Sequence, residues 1–301
     1  MPGASTSRMP QPAGPVREIE LDVGGTYLSG LLAEPASGEP RAVIMAIHGS
    51  GMHAGYFHCQ AAPDLSLLDL GRKLGFTVWA PDRPGVGASA HLPDAAIKMS
   101  VQAETLLDAI DVFSDRHPIG GGVMVVAHSF GLKVALMMAA SDRAASLIGL
   151  DGAGAALRYR DVFPPPPVSE DDRRNGHRGP AWGPATLYPP RTFTGDGLPV
   201  DAGWRKLVDA AEEWPEVLRG LAARIQLPVR ITIGEHDGFW SHAPSSLEEL
   251  RALLVAAVDP WVGVLRHAGH NVSLGWAARA YHLQALGFAE SCLLRRAGDA
   301  P

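Results

Sequence analysis

The stretch from Val123 to Leu136 constrains this chain more than any other. Val123-Met124-Val125-Val126-Ala127 is an apolar run suited to a buried strand, and the Leu-, Ala- and Met-rich run after Gly131 suits a helix. Between them lies Ala127-His128-Ser129-Phe130-Gly131. A strand that turns directly into a helix must bend sharply at one residue. Such a bend holds the Ser129 hydroxyl out at the strand tip, above the helix N-terminus. Small residues at Ala127 and Gly131 let backbones pass closely there. A serine at such a turn is also what a simple helix cap requires, so the rest of the chain must decide between the two.

The flanking pattern alternates strand with helix. Glu18–Val23 and Thr26–Ala33 read as strands joined at Gly24-Gly25, a hairpin signal. Ala42–Ile47 is apolar on both faces, which suits the middle of a sheet covered by helices. Leu67, Leu70 and Leu74 have helical spacing, and Phe76–Ala80 reads as the next strand. Ala103, Leu106, Leu107, Ile110 and Phe113 form an apolar helical stripe. Ser146–Leu150 reads as a strand ending at Asp151, and Val229–Ile233 as another. Leu247, Leu250 and Leu254 mark a helix, Trp261–Leu265 the last strand, and a closing helix is expected from about Trp276 to Leu294. The alternation predicts an α/β fold with a largely parallel sheet and ligands at the carboxyl ends of its strands.

Several motifs then occur in a fixed order. His48-Gly49-Ser50-Gly51 follows the first buried strand, Asp82-Arg83-Pro84-Gly85-Val86-Gly87-Ala88-Ser89 follows the next, and the Ser129 motif comes third. Gly234-Glu235-His236-Asp237 and Arg266-His267-Ala268-Gly269-His270 follow two later strands. Together they resemble the α/β-hydrolase superfamily, with Ala127 standing where the G-x-S-x-G motif has its first glycine. The resemblance covers roughly residues 17–294 outside one insertion. It implies an α/β-hydrolase fold: a mostly parallel central sheet, helices on both faces, and an inserted cap or lid. It further implies Ser129 as nucleophile, His270 as base and Asp237 as the orienting acid, in the chain order of that family. The backbone N–H groups of Ser50 and Phe130 become the oxyanion hole. The motif from Asp82 to Ser89 is expected to shape a loop and carry no chemistry.

Local rivals exist for these roles. His267 is a competing base, nearer the strand, where its ring is expected to pack. His236 is expected to point away if Asp237 points inward. Asp151 is a possible replacement acid. A serine at position 129 argues against haloalkane dehalogenase or epoxide hydrolase chemistry, for which the resemblance would require aspartate.

Residues 152–226 break the alternation with Pro164–Pro167, a charged run and scattered aromatics. Helix-like pieces occur only near Trp204–Ala211 and Pro215–Ala223. A long irregular insertion in a compact domain usually has a use, and the resemblance places a cap over the active site there. The expected domains are therefore a disordered tail over 1–16, a core over 17–151 and 227–294, the cap over 152–226 and a polar tail over 295–301. Trp182, Tyr188, Trp204 and Trp240, with His53 and His128, are candidate pocket residues for a small, largely apolar substrate.

The chain has 301 residues, a net charge of −6 and no block of lysine or arginine, which disfavours nucleic-acid binding. No apolar run approaches the roughly 20 residues of a membrane span. The first residues lack the apolar core of a signal peptide, and two distant cysteines, Cys59 and Cys292, suit a reducing cytoplasm. No cofactor or metal site is expected, since the histidines near residue 53 lack a third ligand with metal spacing. The expected activity is a serine esterase: hydrolysis of an ester, thioester or related acyl bond through an acyl-enzyme. Acyl transfer, elimination or carbon–carbon cleavage by the same triad is the first alternative. A receptor-like ligand-binding protein with little turnover is the second.

Overall fold

The computed structural model describes residues 15–161, 176–194, 198–200 and 213–298. Eight strands form one sheet: β1 (Arg17–Val23), β2 (Thr26–Ala33), β3 (Val43–Ile47), β4 (Thr77–Pro81), β5 (Val123–His128), β6 (Leu147–Ala153), β7 (Val229–Gly234) and β8 (Trp261–Leu265). Their spatial order is β1-β2-β4-β3-β5-β6-β7-β8. β1 pairs antiparallel with β2, and β2 antiparallel with β4. Every later pairing is parallel. Gly24 and Gly25 both have positive φ (60° and 89°), the two-residue turn whose twist matches a hairpin.

Six helices follow in chain order among the described residues: α1 (Leu67–Lys73), α2 (Met99–Ser114), α3 (Phe130–Ala139), α4 (Trp214–Ala222), α5 (Pro244–Leu253) and α6 (Ala278–Gly298). They cover the sheet on two sides, which the strand residues record with a period of two. Val43, Met45 and Ile47 of β3 and Val123, Val125 and Ala127 of β5 enter one core, with Leu106 and Ile110 of α2 and Leu132 and Leu136 of α3. Ile44, Ala46, Met124 and Val126 enter the other, with Leu67 and Leu68 of α1 and Leu286 and Ala289 of α6. This explains the unbroken apolar runs: each face of the central strands is buried.

Differences from the expected elements are small and local. β6 continues past Asp151 to Ala153, because its last residues still pair with β5 and β7. α6 runs to Gly298, into the expected polar tail. Residues 1–14 of the expected N-terminal tail and the helix-like piece at Trp204–Ala211 lie outside the described residues. Among the described residues no helix is long and apolar enough to cross a membrane.

The topology places the site. From β3 the chain moves outward to β4, then returns to β5 on the other side of β3 and proceeds away. Strand order therefore reverses between β3 and β5, where loops after their carboxyl ends diverge and leave a crevice. Ile47 at the end of β3 lies beside Ala127, and His128 at the end of β5 beside Ala153.

α6 carries a buried titratable group, His282. It is fully buried, its Nε2 shares a hydrogen bond of 3.0 Å with Ser273 Oγ, and burial lowers its pKa from 6.5 to about 3. The unfolded chain thus binds a proton that the folded chain refuses. The stability associated with neutral His282 is complete above pH 6.5 and is lost as pH falls toward 3. Between pH 7 and pH 4 this amounts to on the order of 3 kcal/mol. Urea unfolding should show the wild type losing that much more stability over this interval than His282→Gln, which keeps a hydrogen-bonding side chain without titrating.

Candidate active site

Ser129 sits between β5 and α3 with φ 52° and ψ −117°, a conformation that non-glycine residues rarely adopt. Its own N–H donates to the Ala153 carbonyl at 2.7 Å, so β6 helps hold the bend. The bend also needs room. A Cβ on Gly131 would lie 2.4 Å from the His48 carbonyl oxygen, and one on Gly49 would lie 3.1 Å from Ser129 Cβ. The loop after β3 and the first turn of α3 therefore approach backbone to backbone. Ala127 pairs with Ile47 inside the sheet and is fully buried, and alanine is accommodated at that position.

Two other loops bring their side chains to Ser129. His270, in the loop after β8, has Nε2 at 2.9 Å from Ser129 Oγ and Nδ1 at 2.7 Å from Asp237 Oδ2. Asp237, after β7, is fully buried. Its other oxygen, Oδ1, accepts the N–H groups of Phe239 (2.8 Å) and Trp240 (3.2 Å). The carboxylate is thus aimed by its own loop. The bonding pattern puts the imidazole proton on Nδ1, donating to Asp237, and leaves Nε2 free to accept the Ser129 hydroxyl proton.

Phe130 is the first residue of α3, so its N–H has no acceptor within the helix. Ser50 lies in the loop after β3, whose preceding glycine packs against His128 and Ser129. Both N–H groups belong to segments that border the Ser129 side chain.

The rivals are placed elsewhere. His267 has φ 56° and is exposed, and its backbone N–H donates to Glu235 Oε2 at 2.9 Å; its ring does not pack into the core as expected from its place near the strand. His236 is exposed. Asp151 is fully buried one layer down, 3.2 Å from Arg230 Nη1, and burial raises its pKa to about 6 despite that partner. Neither His267 nor Asp151 joins the hydrogen-bonded chain through Ser129.

The candidate pocket residues divide by location. His128 is 2% exposed; its ring stacks on Tyr56 at 4.4 Å, and its Nε2 donates to the His270 carbonyl at 2.9 Å. Burial, then the nearby His270, lowers its pKa well below the usual histidine range. It braces the His270 backbone. His53 caps a short turn, its Nδ1 accepting the Gly55 N–H at 3.1 Å. Trp240 is buried and stacked on Tyr159 at 4.2 Å. Trp204 lies outside the described residues.

Trp182 and Tyr188 belong to the described part of the insertion, residues 176–194, and meet Phe193 edge-on at 5.2 and 5.4 Å. This segment bridges the acid and histidine loops. Gly238 N–H donates to Pro180 O at 2.9 Å, Asn271 Nδ2 to Ala181 O at 3.1 Å, and Trp276 N–H to Leu187 O at 2.9 Å. A Cβ on Gly269, next to His270, would lie 2.3 Å from the Tyr188 hydroxyl. Sequence reasoning missed this bracing, because no local signal tells an aromatic packed on a loop from one facing a ligand. Among the described residues no group of three or more His, Cys, Asp or Glu is placed to hold a metal ion.

Residues 43–281 match the family model of the alpha/beta hydrolase family. The chain belongs to the alpha/beta hydrolase family. No curated protein matches the sequence. Solved structures with this hydrolase fold include a putative lipase (lip1) from Acinetobacter baumannii AYE, with a TM-score of 0.64 at 17% identity, covering 93% of this chain and 93% of that one. A mutant of the N-acyl homoserine lactonase AidH, complexed with N-hexanoyl homoserine, superposes with a TM-score of 0.63 at 20% identity over 92% of this chain and 98% of that one. An epoxide hydrolase, VrEH1 from Vigna radiata, does so with a TM-score of 0.60 at 15% identity, with the same coverage of 92% and 98%. At such identities the likeness concerns the hydrolase fold.

The geometry around His270 is tight enough to test. Gly154, just after β6, has φ +73°, and an added Cβ would lie 2.9 Å from His270 Cε1 and 3.1 Å from His128 Nε2. Gly154→Ala should push the imidazole off Ser129. A displacement of about 1 Å lowers reactivity by about 100-fold. The rate at which a fluorophosphonate labels Ser129 measures this directly.

Proposed function

We propose that this hydrolase is a serine esterase that cleaves an ester, thioester or related acyl bond through a covalent acyl-enzyme. The observation that carries the reading is the unbroken chain from Ser129 Oγ to His270 Nε2 (2.9 Å) and from His270 Nδ1 to Asp237 Oδ2 (2.7 Å). Aspartate at position 129 would suit epoxide or halide displacement; serine suits acyl chemistry.

In this reading the Ser129 oxygen attacks the substrate carbonyl as its proton passes to His270 Nε2. Negative charge develops on the carbonyl oxygen, which the N–H groups of Ser50 and Phe130 receive. Asp237 stabilises the imidazolium. The tetrahedral adduct then collapses, and the leaving group departs with the proton from His270. Water then adds to the carbonyl carbon of the acyl-Ser129 ester as its proton passes to His270; the bond to Ser129 Oγ breaks, His270 returns the proton to that oxygen, and the acid is released.

The substrate proposed is small and largely apolar. Phe239 meets the His270 ring edge-on at 4.9 Å, and Trp240 and Tyr159 stack close behind the acid loop. An aromatic environment beside the reacting atoms suits an acyl chain better than a charged group.

Ser129→Ala should lower turnover of p-nitrophenyl butyrate by about 10⁶-fold and abolish fluorophosphonate labelling, while the circular dichroism spectrum is unchanged. Asp237→Asn should cost about 10⁴-fold. The asparagine carbonyl would keep the Phe239 and Trp240 N–H groups, turning its NH₂ toward His270 Nδ1 and forcing the proton onto Nε2. Labelling that persists in Ser129→Ala, or release of acid without ¹⁸O from labelled water, would contradict the proposal.

A further inference from the structure

We infer that Arg83 is a positioning residue for the oxyanion hole: its guanidinium fastens the carbonyls of His48 and Gly49, and so turns the Ser50 N–H toward the developing charge. The inference rests on the serine-esterase reading and adds a residue that the triad does not include.

Arg83 lies in the loop after β4, within the motif from Asp82 to Ser89. Much of that motif is structural: Asp82 Oδ1 accepts the Ala54 N–H at 2.7 Å, and Ser89 Oγ accepts the Gly85 N–H at 3.1 Å. Arg83 reaches further. It is 4% exposed. Its Nε donates to the His48 carbonyl at 2.9 Å, its Nη2 to the Gly49 carbonyl at 3.1 Å, and its Nη1 to Gln102 Oε1 at 2.7 Å. Its backbone N–H donates to His48 Nε2 at 3.0 Å. That leaves the His48 proton on Nδ1, which donates to the same Gly49 carbonyl at 2.9 Å.

The Gly49 carbonyl is therefore held by two donors on one side. A trans peptide is planar, with its C=O and N–H antiparallel. Fixing the Gly49 carbonyl toward Arg83 and His48 fixes the Ser50 N–H in the opposite direction. Gly49 also packs against Ser129, with an added Cβ lying 3.1 Å from Ser129 Cβ, so this peptide borders the nucleophile. The guanidinium sits 4.7 Å over the Phe130 ring, the residue that supplies the second N–H. One buried cation thus ties together both strands of backbone that face the oxyanion.

Two physical consequences follow. A peptide that cannot rotate need not reorganise when charge develops, which is the main source of oxyanion stabilisation. A charge-assisted bond at the carbonyl also polarises the peptide, and its N–H becomes a stronger donor. Arginine suits this task because its planar fork reaches two carbonyls at once, whereas a lysine ammonium is a point charge. Burying a guanidinium is costly unless its donors are well matched.

The test uses p-nitrophenyl butyrate as substrate and a phenylalkyl trifluoromethyl ketone as inhibitor, since the latter forms an oxyanion-bearing adduct with an active serine. Arg83→Met should lower kcat by about 100-fold, the size of losing one oxyanion donor, with KM changed less than about threefold. The inhibition constant of the ketone should rise in parallel with the loss in kcat/KM. The pH at half-maximal kcat/KM should stay where it is in the wild type, because the Asp237–His270 pair is untouched. Arg83→Lys should fall between wild type and Arg83→Met. Gln102→Leu, which leaves the loop sequence intact, should show a smaller loss in the same parameters, and these two variants carry the comparison if Arg83→Met does not fold.

A folded Arg83 variant with wild-type kcat and ketone affinity would overturn the inference. So would a loss confined to KM, or a shifted pH profile, which would mean that Arg83 acts on His270 instead. If the wild type neither turns over the ester nor reacts with a fluorophosphonate, the esterase reading fails first.

Discussion

Everything in this site depends on the backbone bend at Ser129. A non-glycine residue at φ 52° and ψ −117° costs of order 1–3 kcal/mol, and it persists only where the surroundings leave no alternative. Here the surroundings are fixed on every side. β5 is buried on both faces and hydrogen-bonded on both edges, and α3 is buried along most of its length. Neither element can turn to relieve the bend. The packing of the core is thus what keeps the hydroxyl at the strand tip.

Burial also sorts the histidines. His48 and His128 flank the site and are almost wholly enclosed, and in each case burial is the main cause of a pKa well below the usual histidine range. Both remain neutral, with one ring nitrogen donating to a carbonyl: His48 to Gly49 and His128 to His270. They act as fixed hydrogen-bonding struts. His270 alone among the three stands between a carboxylate and a hydroxyl. Three similar side chains therefore do different work because of what each nitrogen faces.

The insertion between β6 and β7 contributes rigidity as well as bulk. Pro180, Ala181 and Leu187 offer carbonyls to the acid loop, the histidine loop and the turn beyond it. Glycines at 238 and 269 let that segment approach closely, since an added Cβ at either would collide with Pro180 or Tyr188. Loops from β7 and β8 are thereby tied to one another through a third segment. Aromatic residues that read in sequence as lining for a ligand also serve as packing against those loops.

Periodicity in the sequence was sufficient to determine the strands, most helices, their alternation and the order in which chemically capable residues follow strand ends. Those features are local: an apolar run buried on two faces, a glycine turn, a helical stripe. The meeting of Ser129, His270 and Asp237 was legible because each follows a strand, and parallel strands deliver their ends to one edge. Only the tertiary structure decided that Asp237 and not Asp151 meets His270: β6 runs on past Asp151, which stays inside the sheet against Arg230, whereas Asp237 lies in the loop beyond β7. It alone assigned Arg83 to the carbonyls of His48 and Gly49 and His128 to the carbonyl of His270. Those contacts join residues 34 to 142 positions apart, and no pattern along a chain encodes the direction in which a buried donor points.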